Sequence, residues 1–246
     1  MKASATYLLL LVTTFLVVSG VPYPPISSSI EDKIRAEAVD SPVYVALGEA
    51  FAQINKQHVV SKRADITRND LEQGKCAPNI IIFARGTSET GNMGIGVGVP
   101  LQNAVDADLP GRVIYQGVNN YPADVAGYLS GGSDTGAKNM AGQVNRAAIQ
   151  CPGSRVFLSG YSQGAQVTHK AAALIPASQR EIVAGIVVFG DPNEGDAFPG
   201  TLNNNVLSIC YPGDLICRGL PVPIGPHFDY AKAAPQAAAY IKARAL

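Results

Sequence analysis

Gly160-Tyr161-Ser162-Gln163-Gly164 sets a serine between two glycines. It follows an apolar run at 155–160 (RVFLSG) and opens a stretch with helical spacing at 162–175. That is the G-x-S-x-G pattern of a nucleophile on a tight strand-to-helix turn. The chemistry it offers is acyl transfer from an ester or amide. The hydroxyl stands clear at a helix N-terminus, where free N–H groups and the helix dipole favour developing negative charge. Serine needs a base to take its proton, and the base needs an acid to orient it. Three histidines are available. His58 falls in the leader. His169 is seven residues past Ser162 on the same helix, so its side chain points away from the hydroxyl and reads as a surface or partly buried helix residue. His227, in the Pro-rich loop PVPIGPHF, follows Ser162 as the base does in α/β-hydrolase order. Two carboxylates lie between them, Asp191 after the run ending Phe189-Gly190, and Asp214 in Cys210-Tyr-Pro-Gly-Asp-Leu-Ile-Cys217. Spacing leaves both open. Asp214 has the better mechanical case, because a disulfide-closed loop restricts the carboxylate. For the oxyanion, the backbone N–H of Gln163 is one donor by elbow geometry. The loop 85–91 (RGTSETG), after an early strand, is placed to supply the other.

The elements that must position these residues alternate strand and helix. Residues 80–84 (IIIFA) form a short continuous apolar run, as expected of a strand buried on both faces. Strands are also expected at 113–116, 155–160, 182–190 and 206–210, and helices at 136–150, 162–175 and 228–246. This order predicts βαβ units and a mainly parallel sheet. Parallel strands start at one edge, so Cys76 and Cys151, each just before a strand, are expected to pair. Cys210 and Cys217 are expected to close locally around a Pro-Gly turn. The chain-entropy model assigns about 4–5 kcal/mol to the long loop and about 2–3 kcal/mol to the short one.

The 246 residues carry 19 Lys+Arg against 19 Asp+Glu. No basic field exists to hold a phosphate backbone, so nucleic acid is not expected as a partner. Four Cys without a C-x-x-C, and three His, give no metal-site spacing. Lys2 followed by the apolar run 7–18, then Ser19-Gly20, reads as a signal peptide over 1–20. The run is too short to span a bilayer comfortably, so stable membrane insertion is not expected. Residues 21–63 differ from the rest, with a Pro/Ser-rich linker, a weakly amphipathic helical stretch and a closing dibasic pair, Lys62-Arg63. They read as a propeptide, with the mature chain at 64–246. Secretion fits an even cysteine count forming two disulfides. No N-x-[ST] acceptor is present, and a monomer is the default.

Three segments resemble one known family, the cutinases. Residues 84–94 (ARGTSETGNMG) resemble its oxyanion segment, and 160–165 (GYSQGA) its nucleophile segment. Cys210-x3-Asp214-x2-Cys217 followed by Pro226-His227 resembles its acid and base segment, including the spacing from Asp to His. The resemblance runs from about Thr67 to the C-terminus. It implies a single-domain, three-layer α/β-hydrolase fold on a five-stranded parallel sheet, with no large lid and no cofactor. It implies Ser162 as nucleophile, His227 as base and Asp214, rather than Asp191, as acid. It places Thr87 at the oxyanion position, beside Ser88, and supports the disulfide pairing. Pro221, Val222, Pro223, Ile224 and Phe228 become the apolar wall of a crevice. The implied activity is hydrolysis of cutin, similar aliphatic polyesters and short-chain esters. Acetylxylan esterase and short-chain lipase are the alternatives within the fold.

Overall fold

The computed structural model describes residues 66–246. The expected signal segment and propeptide, 1–20 and 21–63, lie outside the described residues. Five strands form one parallel sheet: β1 (Asn79–Ala84), β2 (Val113–Gly117), β3 (Arg155–Tyr161), β4 (Val183–Phe189) and β5 (Val206–Ile209). Their order is β2-β1-β3-β4-β5. The register sets Asn79 beside both Val113 and Arg155, so β1, β2 and β3 start level.

The continuous apolar strand sequences follow from burial on both faces. Ile80, Ile82, Val156, Leu158, Ile186 and Val188 point to one side. There they meet Ala137, Met140 and Val144 of α3 (Asp134–Gln150) and Ala165, Val167 and Ala171 of α4 (Gln163–Leu174). Ile81, Phe83, Phe157, Val187 and Phe189 point to the other. They meet Leu101 and Val105 of α1 (Val99–Asp108) and Ala237 and Ile241 of α5 (Ala234–Lys242). The result is three layers with two half-cores. Truncating any one of the fully buried isoleucines to alanine costs about 2–5 kcal/mol.

Several elements differ from the sequence expectation. Helix α1, preceded by the π-helical turn Gly94–Gly98, was not expected. Neither was the short α2 (Val125–Leu129), whose N-cap Asp124 accepts from the Gly127 N–H. Helix α3 starts at Asp134 because the Ser133 hydroxyl caps it, accepting from the Gly136 N–H. The closing helix is shorter than 228–246. Two 3-10 turns, Gly225–Phe228 and Tyr230–Ala233, precede α5, which spans only Ala234–Lys242. Pro235 explains the break: it has no N–H to extend a helix arriving from Phe228, yet is tolerated in the first turn of a new one. Cys76 is bonded to Cys151, as expected from strand position, and Cys210 to Cys217, as expected from closure around the Pro-Gly turn.

Candidate active site

In a sheet of this order, the crossovers leave β1 and β3 in opposite directions, which opens a crevice at their carboxyl ends. The loop 85–91 leaves β1 there. Ser162 leaves β3 at the same edge, Asp191 follows β4, and the Cys210–Cys217 loop follows β5. Chain topology alone therefore gathers residues from four strands.

Ser162 sits at the N-cap of α4 with φ 55 and ψ −120. This is left-handed backbone that a non-glycine residue enters only under constraint. Two glycines make the turn possible. A Cβ on Gly160 would lie 2.2 Å from the Gly164 carbonyl oxygen, and one on Gly164 would lie 2.0 Å from the Ala84 carbonyl oxygen. β1, β3 and α4 can approach this closely only without side chains there.

The Ser162 Oγ lies 3.0 Å from His227 Nε2. His227 Nδ1 lies 2.8 Å from Asp214 Oδ2. An ionised carboxylate only accepts, so Nδ1 carries the imidazole proton and Nε2 is left to accept from the serine hydroxyl. Asp214 Oδ1 accepts from the Ile216 N–H at 3.0 Å, and Oδ2 also accepts from the Tyr230 hydroxyl at 2.7 Å. Burial would raise the Asp214 pKa. Its bonds from His227, Tyr230 and Ile216 outweigh burial and hold it below the usual carboxylate value. His227 is fully buried, while Ser162 keeps 6 % exposure, so the approach to the pair is from the serine side.

The alternative acid, Asp191, is turned elsewhere. Its Oδ2 lies 2.8 Å from His169 Nε2, and the His169 ring stacks on Phe198 with centroids 4.0 Å apart. His169 is thus a partly buried helix residue, paired away from Ser162. Gly190, next to Asp191, abuts the His227 ring, and a Cβ there would lie 2.9 Å from Cε1.

The β1 loop wraps around Glu89, which the sequence reading did not single out. Its Oε2 accepts from the Gly86 N–H and its Oε1 from the Gly96 N–H, both at 2.7 Å. Burial pushes the Glu89 carboxyl up, and these N–H groups offset only part of that. Cβ atoms on Gly86, Gly94 or Gly96 would each crowd this carboxylate, so the glycine spacing around Glu89 was the signal. Thr87 Oγ1 accepts from Gln163 Nε2 at 3.0 Å. The same Nε2 donates to the Asp124 carbonyl at 2.7 Å, seating α2 beside the loop. The Ser88 N–H is committed to the Ala123 carbonyl at 2.7 Å. Gln163 begins α4, where N–H groups lack an intrahelical acceptor. Pro221, Val222 and Pro223 are half-buried, and Ile224 and Phe228 are 47 % and 38 % exposed, the last beside the His227 ring. Among the described residues no cluster of His, Cys, Asp and Glu could hold a metal ion, and no helix is long and apolar enough to cross a membrane.

Residues 75–245 match the family model described as Cutinase. The cutinase of Coprinopsis cinerea is 45 % identical over 181 residues, 74 % of this chain and 90 % of that protein. The cutinase of Pyrenopeziza brassicae is 39 % identical over 201 residues, covering 81 % and 97 %. Among solved structures, Trichoderma reesei cutinase in complex with a phosphonate inhibitor superposes with a TM-score of 0.75 at 32 % identity, covering 87 % of this chain and 96 % of that one. An acetyl xylan esterase shares the fold at 21 % identity and a TM-score of 0.58, covering 69 % and 99 %.

Proposed function

The chain belongs to the cutinase family and is a carboxylic ester hydrolase, and from that premise we propose that it cleaves cutin or similar aliphatic polyesters and short-chain esters through Ser162, His227 and Asp214. The observation that carries the mechanism is the unbroken hydrogen-bond line from Ser162 Oγ to His227 Nε2 and from Nδ1 to Asp214. His227 Nε2 takes the hydroxyl proton as Ser162 Oγ bonds to the ester carbonyl carbon. The tetrahedral oxyanion is held by the N–H groups of Thr87 and Gln163. Each such donor is worth about 2.7–4 kcal/mol in the transition state. The carbon–oxygen bond to the alcohol breaks as Nε2 returns the proton to it. A water then gives its proton to Nε2 and attacks the acyl carbon, and Ser162 leaves reprotonated with the free acid released. The commitment of the Ser88 N–H to Ala123 supports Thr87 as the donor from this loop.

The exposed apolar side chains of Ile224 and Phe228, beside His227 in sequence, support this substrate class, since they suit an aliphatic acyl chain. Purified protein incubated with cutin and with acetylated xylan, side by side, tests it. Release of hydroxy fatty acids from cutin is the expected result. Acetate release from xylan alone would keep the triad and move the substrate to polysaccharide.

We infer secretion from the leader and the two disulfides, which persist in oxidising compartments. Cleavage after Arg63 predicts a secreted protein whose first residue is Ala64. An N-terminus near Val21 would show that residues 21–63 are retained.

A further inference from the structure

Tyr230 is fully buried, and its hydroxyl lies at a junction. It accepts from the Tyr211 N–H at 3.0 Å and donates to Asp214 Oδ2 at 2.7 Å. Its ring lies on that of Tyr211, with centroids 4.6 Å apart and planes 7° from parallel. The backbone donor and the stacked ring fix where the phenol points. Because Oη already accepts from Tyr211, its one proton is directed to the carboxylate. Burial and the adjacent carboxylate push the phenol well above its ordinary acidity range, so it remains a donor throughout the working range.

We propose that Tyr230 is a positioning residue for ester hydrolysis: its hydroxyl holds the Asp214 carboxylate as an anion aimed at His227 Nδ1. The inference rests on the Ser162–His227–Asp214 mechanism above. Three donors define the carboxylate plane: the Ile216 N–H on Oδ1, and His227 Nδ1 and Tyr230 on Oδ2. Without the phenol, a buried anion would lose a partner of the kind that offsets desolvation. A neutral donor suits this place. It orients the carboxylate without neutralising the charge that stabilises the imidazolium formed during attack, as a lysine would.

The direction of the pH effect follows. A hydrogen bond from Tyr230 draws charge off Oδ2. Its loss strengthens the pull of Asp214 on protonated His227 and makes Asp214 itself easier to protonate. Both changes move the acid limb of the rate profile to higher pH. Other groups facing the pair do not compete for Oδ2. Tyr161 stacks on the imidazole at 5.2 Å and donates instead to the His227 carbonyl at 2.7 Å. Glu89 lies near Tyr161 but is occupied by backbone N–H groups. Asp191, one residue past the Gly190 that abuts the imidazole, faces His169.

The test compares Tyr230→Phe, Ser162→Ala and wild type as purified secreted proteins on p-nitrophenyl butyrate. For Tyr230→Phe, kcat is expected to fall about 10- to 100-fold, the loss of a hydrogen bond to a charged group. KM should stay within about twofold, and the acid limb of kcat/KM should rise by about half a pH unit or more. A phenol with only a structural role would lower the melting temperature and leave kcat and the limb at wild-type values; that result overturns the inference. If Tyr230→Phe does not fold, Tyr211→Leu carries the test. It keeps the phenol but removes the ring that seats it, and a smaller fall in kcat with a limb shift in the same direction is expected. Wild-type values there also overturn the inference. Turnover retained by Ser162→Ala would instead remove the mechanism itself. An inactive Ser162→Ala beside an unchanged Tyr230→Phe removes only the role of Tyr230.

Discussion

Ser162→Ala is expected to lower kcat by at least about 10⁴-fold while the protein stays folded. The size follows from what the substitution deletes. On the proposed mechanism the hydroxyl bonds to the acyl carbon, and without it the oxyanion donors and the imidazole can only assist water. Its contribution to folding is small by comparison. It makes one hydrogen bond, to His227 Nε2, worth about 1 kcal/mol net. Steady-state turnover of a soluble ester, with a thermal melt on the same sample, separates the two. A melting temperature within about 4 °C of wild type is expected. Wild-type turnover in Ser162→Ala would show that another group is the nucleophile.

The second large effect is on stability. Gly164→Ala puts a methyl 2.0 Å from the Ala84 carbonyl oxygen and 2.7 Å from that of Arg85. These are backbone atoms of β1 and of the loop leaving it, so no side chain can rotate out of the way. Either α4 moves off the sheet or β1 bends, and the Gln163 N–H moves with it. The expected cost is about 3 kcal/mol or more. In a domain of this size that lowers the melting temperature by about 6–12 °C. Activity should be lost along with it. Gly142 is the control, since it lies inside α3 and a Cβ there would meet nothing within 4 Å. Gly142→Ala is expected to stabilise by about 0.5–1 kcal/mol through helix propensity alone. Equal melting temperatures for the two variants would mean that the close approach at Gly164 is not required.

The strands were legible because both faces of the sheet are covered. Ile80, Ile81 and Ile82 read as one apolar run because alternate residues enter different half-cores. The cysteine pairing was legible for a related reason, since Cys76 and Cys151 precede strands that start level. Helix α1 was hidden. Its apolar positions, Val99, Leu101 and Val105, follow a glycine-rich segment that reads as loop and forms a π-helical turn. The closing helix was overextended because alanines at helical spacing run through Pro235, which breaks the helix into separate turns.

At the site, local sequence carried the elbow well and the acid poorly. Strand, glycines and helix at Ser162 are neighbours in sequence, so a short window contains the whole device. The choice between Asp191 and Asp214 depends on which imidazole each one faces. That is set by Phe198 stacking on His169 and by Tyr230 reaching back to Asp214. These contacts join distant segments, so the residues around each aspartate left both open, and only the resemblance of the segment from Cys210 to His227 favoured Asp214. Glu89 was missed for a different reason. A glutamate in a loop of hydroxyl residues and glycines reads as solvated, yet here the glycines give up their side-chain space to bury it.

On the proposed mechanism Ser162 forms the acyl-enzyme. The most direct measurement is labelling of the secreted wild-type protein with a fluorophosphonate, followed by intact mass and peptide mapping. One adduct per chain, on the peptide containing Ser162, with ester hydrolysis lost in proportion to labelling, is the result expected. An adduct on a different residue, or full hydrolytic activity after Ser162 is completely labelled, would rule out Ser162 as the nucleophile.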